Sequence, residues 1–324
     1  MTIQSATAIA HPNIAFIKYW GNRDQSFRLP ENGSISMNLE ELTTRTQVTF
    51  DPGLPSDILD LNGHRQSGPV FNRVASHLNL LRGLRGIATR AYIKSENNFP
   101  EGTGIASSAS AFAALTVAAI RALGIALPER DLSRLARRGS GSACRSIPEG
   151  FVEWYPGSSD VDSFAVSIAK SGYWGIVDCI AILNRKQKAT GSTEGHALAK
   201  TSPLQSARVL DAPRRLERCR EAIQTRDFNL FAETVEQDCL LMHAVMMTSM
   251  PALVYWEPAT LEIMHAVKSW RKSGIPAAFT IDAGPNVHVI CEEQSLELVK
   301  SKLEKIAGIE EILIAHPGKS AQLA

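Results

Sequence analysis

The 324 residues are 44% hydrophobic and 21% charged, the make-up of a globular chain long enough for two domains around one cleft. A formal net charge of +1 excludes bulk nucleic-acid binding, which needs a clearly basic face, so an anionic ligand must be met by local cations. No stretch reaches the roughly 18 uninterrupted apolar residues of a membrane helix, and residues 1–10 lack the basic start and apolar core of a secretory signal.

In chain order, an apolar run at 14–17 leads into Lys18-Tyr19-Trp20-Gly21-Asn22-Arg23-Asp24, either a solvated strand end or part of a site. Asn32-Gly33-Ser34-Ile35-Ser36 is a turn entering a strand, and a period of two puts Ser34 and Ser36 on one face. β-branched and aromatic residues predict strands at 46–50 and 91–94. Between them, the spacing of Val70, Phe71, Val74, His77, Leu78 and Leu81 predicts an amphipathic helix over 70–82.

Pro100-Glu101-Gly102-Thr103-Gly104-Ile105-Ala106-Ser107-Ser108-Ala109 is a glycine-rich loop opening into an alanine-rich helix over 107–123, closed by Gly124 and Pro128. Gly104 has no Cβ to hold backbone amides away from a ligand. The helix start adds unpaired N–H groups and the positive dipole end, and the two serines add hydroxyls. Such a turn serves as a plain cap or as a phosphate cradle. The pattern P-x-x-x-G-[LI]-x-S-S-A is narrower than a cap requires, and without a lysine after the glycine it is not a Walker loop.

A short basic helix over 131–138 runs into Gly139-Ser140-Gly141-Ser142-Ala143-Cys144-Arg145-Ser146. So flexible a loop costs entropy on folding, which motivates reading its arginine as a bidentate ligand for a carboxylate or phosphate. A buried strand follows at 174–182. From about 184 the chain is more helical, with helices over 204–222, 229–247 and 258–273. Ser192-Thr193-Glu194-Gly195-His196 has the pattern of a helix cap with an acid at its third position. Strands at 277–281 and 287–291 flank a tight turn beginning at Asp282, which alone can be an Asx turn. A helix over 295–306 and a strand at 311–314 complete the chain, and the polar stretch 185–191 suits a lid.

Five scattered cysteines (Cys144, Cys179, Cys219, Cys239, Cys291) form no C-x-x-C pair, which argues against a zinc site or disulfide framework and fits a reducing cytoplasm. Cys144 is read as a small buried residue rather than a reactive thiol. Of the eight histidines only His196 and His243 lie near polar motifs, and neither has ligand spacing, so no histidine metal site is expected. His11 and His288 read as packed or solvated. Without repeats or a long linker, the order fits two closely joined α+β lobes, 1–184 and 185–324.

Taken together, the motifs resemble the GHMP superfamily, and most closely its diphosphomevalonate and phosphomevalonate decarboxylases. Asn13-Ile14-Ala15, Lys18-Tyr19-Trp20-Gly21, Asn97-Asn98-Phe99-Pro100, 139–146, Ser192-Thr193-Glu194-Gly195 and 282–286 all fall in that family's order. The resemblance implies an α+β, two-lobed GHMP-kinase-like fold with the active site in the cleft between the lobes. It implies ATP and Mg²⁺ as cofactors, a phosphorylated mevalonate as substrate, and a homodimer. The implied chemistry phosphorylates the tertiary 3-hydroxyl, then expels phosphate and CO₂ to leave a terminal alkene. Asp282 would orient or deprotonate that hydroxyl, and Lys18 would stabilise the charge beside it. Asn97, Pro100, Gly102, Gly104, Ser107, Ser108 and Ser192 would hold the nucleotide, with Ser107 at its Mg²⁺. Tyr19, Asn22, Ser140, Ser142 and Arg145 would bind the substrate's anionic end, and Arg73 its carboxylate.

Three departures bear on the substrate. Asn22 stands where the family usually has a second lysine, and losing one charge-assisted hydrogen bond costs about 1.5–3 kcal/mol. Glu149 replaces one of two usual glycines and would repel a diphosphate if it faced the pocket. Glu101 puts an acid into the nucleotide loop. Asn22 above all favours (R)-5-phosphomevalonate and isopentenyl phosphate over the diphosphate pair. A mevalonate 3-kinase, which stops before CO₂ release, and a non-catalytic binding protein are the remaining readings. The presence of both Asp282 and Lys18 argues against each.

Overall fold

The computed structural model describes residues 4–99, 107–185 and 191–324, without the side chains of Ser192 and Thr193. The chain begins with β1 (Gln4–Ala10), β2 (Asn13–Ile17), β3 (Asn22–Asp24), β4 (Leu29–Pro30), β5 (Ser34–Asn38), β6 (Thr44–Phe50), β7 (Ile58–Leu61) and β8 (His64–Arg65). It continues through α1 (Gly68–Gly83), β9 (Ala91–Asn97), α2 (Ser107–Ala122), α3 (Glu129–Gly139), a 3₁₀ segment Gly141–Ser146, β10 (Phe151–Tyr155) and β11 (Phe164–Ala169). Next come β12 (Ile176–Ile182), α4 (Ser192–Leu198), α5 (Gln205–Leu210), α6 (Ala212–Thr225), α7 (Phe228–Thr248) and α8 (Pro258–Lys272). The end is β13 (Ala277–Thr280), β14 (Val287–Glu292), α9 (Leu296–Leu303), β15 (Glu311–Ala315) and β16 (Gln322–Leu323).

Sheets of mostly antiparallel strands with helices laid on their faces make this an α+β structure, as the sequence implies. One sheet runs in the order β16-β1-β6-β9-β7-β8. In β6, Thr44, Thr46, Val48 and Phe50 are buried and the residues between them are not, the alternation of a strand covered on one face. Helix α2 supplies the cover. Its alanines are buried almost all round, so the helix seats closely on β1 and β6. That seating fixes where Ser107 and Ser108, its first two residues, present their hydroxyls and amides.

A second sheet, β11-β10-β5-β2, carries the first candidate residues. The register of β2 against β5 shifts between Ala15 and Ile17, a bulge that re-aims the strand just before Lys18. The third sheet, β13-β14-β12-β15, is packed by α7, α8 and α9. The halves share apolar core: Ile14, Phe16 and Ile35 cluster with Ile176, Ile290 and Phe231. Phe16 and Phe231 meet edge to face at 4.8 Å, a geometry worth about 0.5–1.5 kcal/mol beyond area burial.

Two expectations are corrected. The helix over 204–222 is two helices, α5 and α6, because Pro213 can start a helix but not continue one. The helix over 295–306 is only α9, preceded by a 3₁₀ turn at Glu293–Ser295. Strands β1, β10 and β11 escape the sequence reading. In β1 the two fully buried residues are Ala8 and Ala10, and alanine carries little strand signal. All five cysteines are buried and free, and no described helix is long and apolar enough to cross a membrane.

Candidate active site

Lys18 leaves β2 with its backbone held from several sides. Its N–H donates to Asp238 Oδ2 of α7 at 2.6 Å. Its carbonyl accepts from Arg208 Nη2 of α5 at 2.7 Å and from Asn32 Nδ2 at 3.0 Å. Asp238 is in turn anchored by Arg215 Nε of α6 at 2.7 Å, both side chains being fully buried. With the backbone fixed, the ammonium reaches Asp282 Oδ1 at 2.6 Å. Lys18 is 1% exposed, whereas the Asp282 side chain keeps 24% of its surface. The carboxylate is therefore open to a ligand while its partner is not.

Asp282 follows β13, and Ile281 before it is gripped from α7, where His243 Nε2 lies 3.2 Å from the Ile281 carbonyl. Burial pushes the Asp282 carboxyl upward, but the Lys18 charge, with smaller help from His288 and Arg145, brings it below the usual carboxylate range. It is ionised at neutral pH. Burial lowers His243 to about 4, so that ring is neutral. His288 is packed, as the sequence allows, and paired with the equally buried Asp178 at 2.6 Å.

The next residues line an adjoining wall. Tyr19 donates to Asn22 Oδ1 at 2.5 Å, packs edge-on to Trp154 at 4.7 Å and stacks on His196 at 4.1 Å. Burial pushes the phenol up to about 12 against the pull of Arg28 and the Asn22 bond, so Tyr19 remains a donor. Asn22 also donates to Gln25 Oε1 at 3.0 Å. The glycines of the 139–146 loop have a steric cause. A Cβ on Gly141 would lie 2.6 Å from Tyr19 Cε1, and one on Gly139 would lie 2.1 Å from Phe112 Cδ1.

Ser140 Oγ is 3.2 Å from Ser108 Oγ, which joins this loop to the start of α2. Arg145 is buried, with Nη1 on Ser34 Oγ at 2.6 Å and both Nε and Nη2 on Asn13 Oδ1 at 3.2 and 3.1 Å. Ser142 enters through its carbonyl, which accepts from Asn13 Nδ2 at 3.2 Å. Arg73 stacks over Phe112 at 4.7 Å and donates from Nε to the Gly139 carbonyl at 3.1 Å. Asn97 closes β9, its Oδ1 accepting from Thr44 Oγ1 at 2.6 Å. Ser192 is the first residue of α4; Pro100, Glu101, Gly102 and Gly104 lie outside the described residues. Cys144 is buried, its thiol pushed up to about 12 by burial, which makes it inert. Glu149 acts on Glu129, at the opposite end of α3 from Ser140.

The structure thus gathers Lys18 with Asp282, and Tyr19 with Asn22, Ser140 and Ser108, onto neighbouring surfaces. Asp238, Arg208, Asn32 and His243 hold these groups in place; Asn32 and His243 stand out in the sequence only as a turn residue and a histidine near polar motifs, and Asp238 and Arg208 carry no local signal.

Two family models cover the chain: the diphosphomevalonate decarboxylase-like N-terminal domain at residues 10–165, and the mevalonate 5-diphosphate decarboxylase C-terminal domain at 179–320. The chain belongs to the diphosphomevalonate decarboxylase family. Diphosphomevalonate decarboxylase of Candida albicans is 37% identical over 322 residues, covering 94% of this chain and 89% of the relative. Phosphomevalonate decarboxylase of Haloferax volcanii is 32% identical over 297 residues, covering 91% and 90%. A solved structure described as MDDEF in complex with MVAPP, AMPPCP and magnesium superposes with a TM-score of 0.94 at 39% identity, over 100% of this chain and 99% of that one. The fold of this diphosphomevalonate decarboxylase family member is accordingly the two-lobed GHMP-kinase-like one.

Proposed function

We propose that the chain catalyses ATP-dependent decarboxylation of 5-diphosphomevalonate to isopentenyl diphosphate, releasing ADP, phosphate and CO₂. The observation that carries this reading is the Lys18–Asp282 pair, a buried ammonium 2.6 Å from a partly open carboxylate. The relatives support the diphosphate, since both family models and the Candida albicans enzyme bear its name. This reverses the order of substrates that Asn22 suggests in the sequence. Glu149 acts on Glu129, at the opposite end of α3 from Ser140, which counts against its opposing the diphosphate.

A tertiary alcohol is a poor leaving group, and phosphoryl transfer from ATP makes it a good one. Asp282, ionised, accepts the hydrogen bond of the 3-hydroxyl and takes its proton as the O–P bond forms. A carboxylate of low basicity acts here mainly by orientation. The Lys18 ammonium balances the negative charge that gathers at the reacting oxygens. The 3-phosphate then departs with the C–O electron pair. The bond to the carboxylate carbon breaks, its electrons form the alkene, and CO₂ leaves.

The resemblance assigns the nucleotide to Asn97, Ser107, Ser108, Ser192 and the loop that precedes α2. Among the described residues no three of His, Cys, Asp and Glu converge as a cation site. Mg²⁺ would neutralise the nucleotide phosphates, and the Ser107 hydroxyl would be the protein's contribution to holding it.

Measuring ADP and CO₂ together tests the reaction. Equal amounts support decarboxylation, ADP without CO₂ identifies a 3-kinase, and neither product identifies a binding protein. Asp282→Asn should lower kcat by about 10²–10⁴-fold while nucleotide still binds; near-wild-type turnover would overturn the assignment. A second reading, 5-phosphomevalonate as substrate, is favoured by the neutral Asn22 amide beside Tyr19. A kcat/KM higher for the monophosphate would select it.

A further inference from the structure

A recess of about 340 Å³ is bordered by Arg28, Arg73, Arg138, Ser26, Ser76 and His77. Its charge is one-sided. Arg28 Nε donates to the Arg138 carbonyl at 3.2 Å and Arg73 Nε to the Gly139 carbonyl at 3.1 Å. Both guanidiniums thus hang by one N–H from consecutive carbonyls, and among the described residues neither has a carboxylate partner. Among the described residues the one acid paired with Arg138 is Asp160 at 3.4 Å, shared with Arg134 and Arg137, and the guanidinium lies over the Phe27 ring at 4.6 Å.

The arginines are felt by their neighbours. Burial and then Arg28 bring Arg73 down to about 10, as expected of like charges held close without a counter-ion. His77 is 4% exposed, and its Nδ1 has no hydrogen-bond partner. Thr116 commits its hydroxyl proton to the Phe112 carbonyl, so it receives the Nε2–H of His77 at 2.9 Å, and Nδ1 is left as an acceptor that would take a protonated phosphate oxygen rather than a bare anion. Arg28 also has φ 50°, the left-handed region that a non-glycine residue occupies at a cost of roughly 1–2 kcal/mol. Such a conformation persists where its surroundings demand it. The recess adjoins the site along the chain: Gly139, at its edge, directly precedes Ser140, whose Oγ lies 3.2 Å from Ser108 Oγ.

We propose that this recess receives the C5 phosphoryl end of the substrate, with Arg28 as the specificity-determining cation. The proposal rests on the reading above that the substrate is a phosphorylated mevalonate. Position 22 contributes an amide, and the positive charge on this wall comes from Arg28, Arg73 and Arg138.

Arg28→Gln should raise KM for the preferred 5-phosphorylated mevalonate about tenfold to a hundredfold, far more than it lowers kcat, with Arg28→Lys recovering part of the loss. Calorimetry with inorganic pyrophosphate, in the absence of nucleotide, should show weaker binding to Arg28→Gln than to wild type. Ser76→Glu, on the exposed face of α1, should weaken both by adding a negative charge at the rim. Arg65→Gln, a distant exposed arginine paired with Asp60, is the control and should change neither. An unchanged substrate KM in Arg28→Gln, or a rise in the KM for ATP instead, overturns the proposal. So does equal pyrophosphate affinity in the variant and wild type. If wild type turns over neither substrate, the decarboxylase reading fails, while lost pyrophosphate binding in Arg28→Gln still upholds the recess as an anion site.

Discussion

Replacing Lys18 by methionine removes the ammonium and keeps most of the side-chain volume. The backbone should stay in place, since Asp238, Arg208 and Asn32 hold its N–H and carbonyl rather than the side chain. Asp282 then loses the cation at 2.6 Å, and burial is opposed only by His288 and Arg145. Breaking a buried pair costs about 3–5 kcal/mol, and the 24% exposure of Asp282 places this case toward the lower end. The cost depends on pH. In wild type the Asp282 carboxyl titrates below its unfolded range, so it adds stability above about pH 4 that is lost as pH falls through the folded value. In Lys18→Met the carboxyl shifts upward, and its ionisation destabilises as pH rises. The stability gap between the two proteins should therefore be small near pH 4 and widest at neutral pH. Urea denaturation at several pH values reads the gap, and CO₂ release reads kcat, which should fall about 10²–10³-fold. A variant that keeps kcat within tenfold of wild type, with a gap that does not vary with pH, would refute the reasoning.

Two further substitutions probe the neighbouring wall. Gly141→Ala puts a Cβ within 2.6 Å of Tyr19, so the ring must move, and KM for the phosphorylated substrate should rise about tenfold with KM for ATP little changed. Asn22→Lys adds a charge at the price of Tyr19's acceptor, and should shift the kcat/KM ratio toward the diphosphate by about tenfold. Competition between the two phosphorylated substrates measures that ratio directly.

The long periodic segments were legible in the sequence. The spacing over 70–82 anticipates α1, and the alanine-rich run after the glycine loop anticipates α2. Elements without such a period were missed, β1 among them, because its buried positions are alanines. In the site, Lys18 and Asp282 were legible as motifs, and their contact across 264 residues is what the structure adds. Arg145 was expected to face a ligand, and the structure gives its Nε, Nη1 and Nη2 to Asn13 and Ser34. Asp238 was illegible for a physical reason. A buried acid inside a helix looks locally like any polar residue, and only its distant partners, Lys18 and Arg215, give it meaning.

The Asp238 carboxylate has a consequence for anyone recombining members of this family. It joins the backbone of Lys18, near the start of the chain, to Arg215 on α6, while Arg208 on α5 takes the Lys18 carbonyl. A chimera crossed over near residue 184 would inherit the lysine from one parent and its three supports from the other. Such crossovers should succeed only where positions 208, 215 and 238 match across parents, however faithfully each half preserves its own motifs.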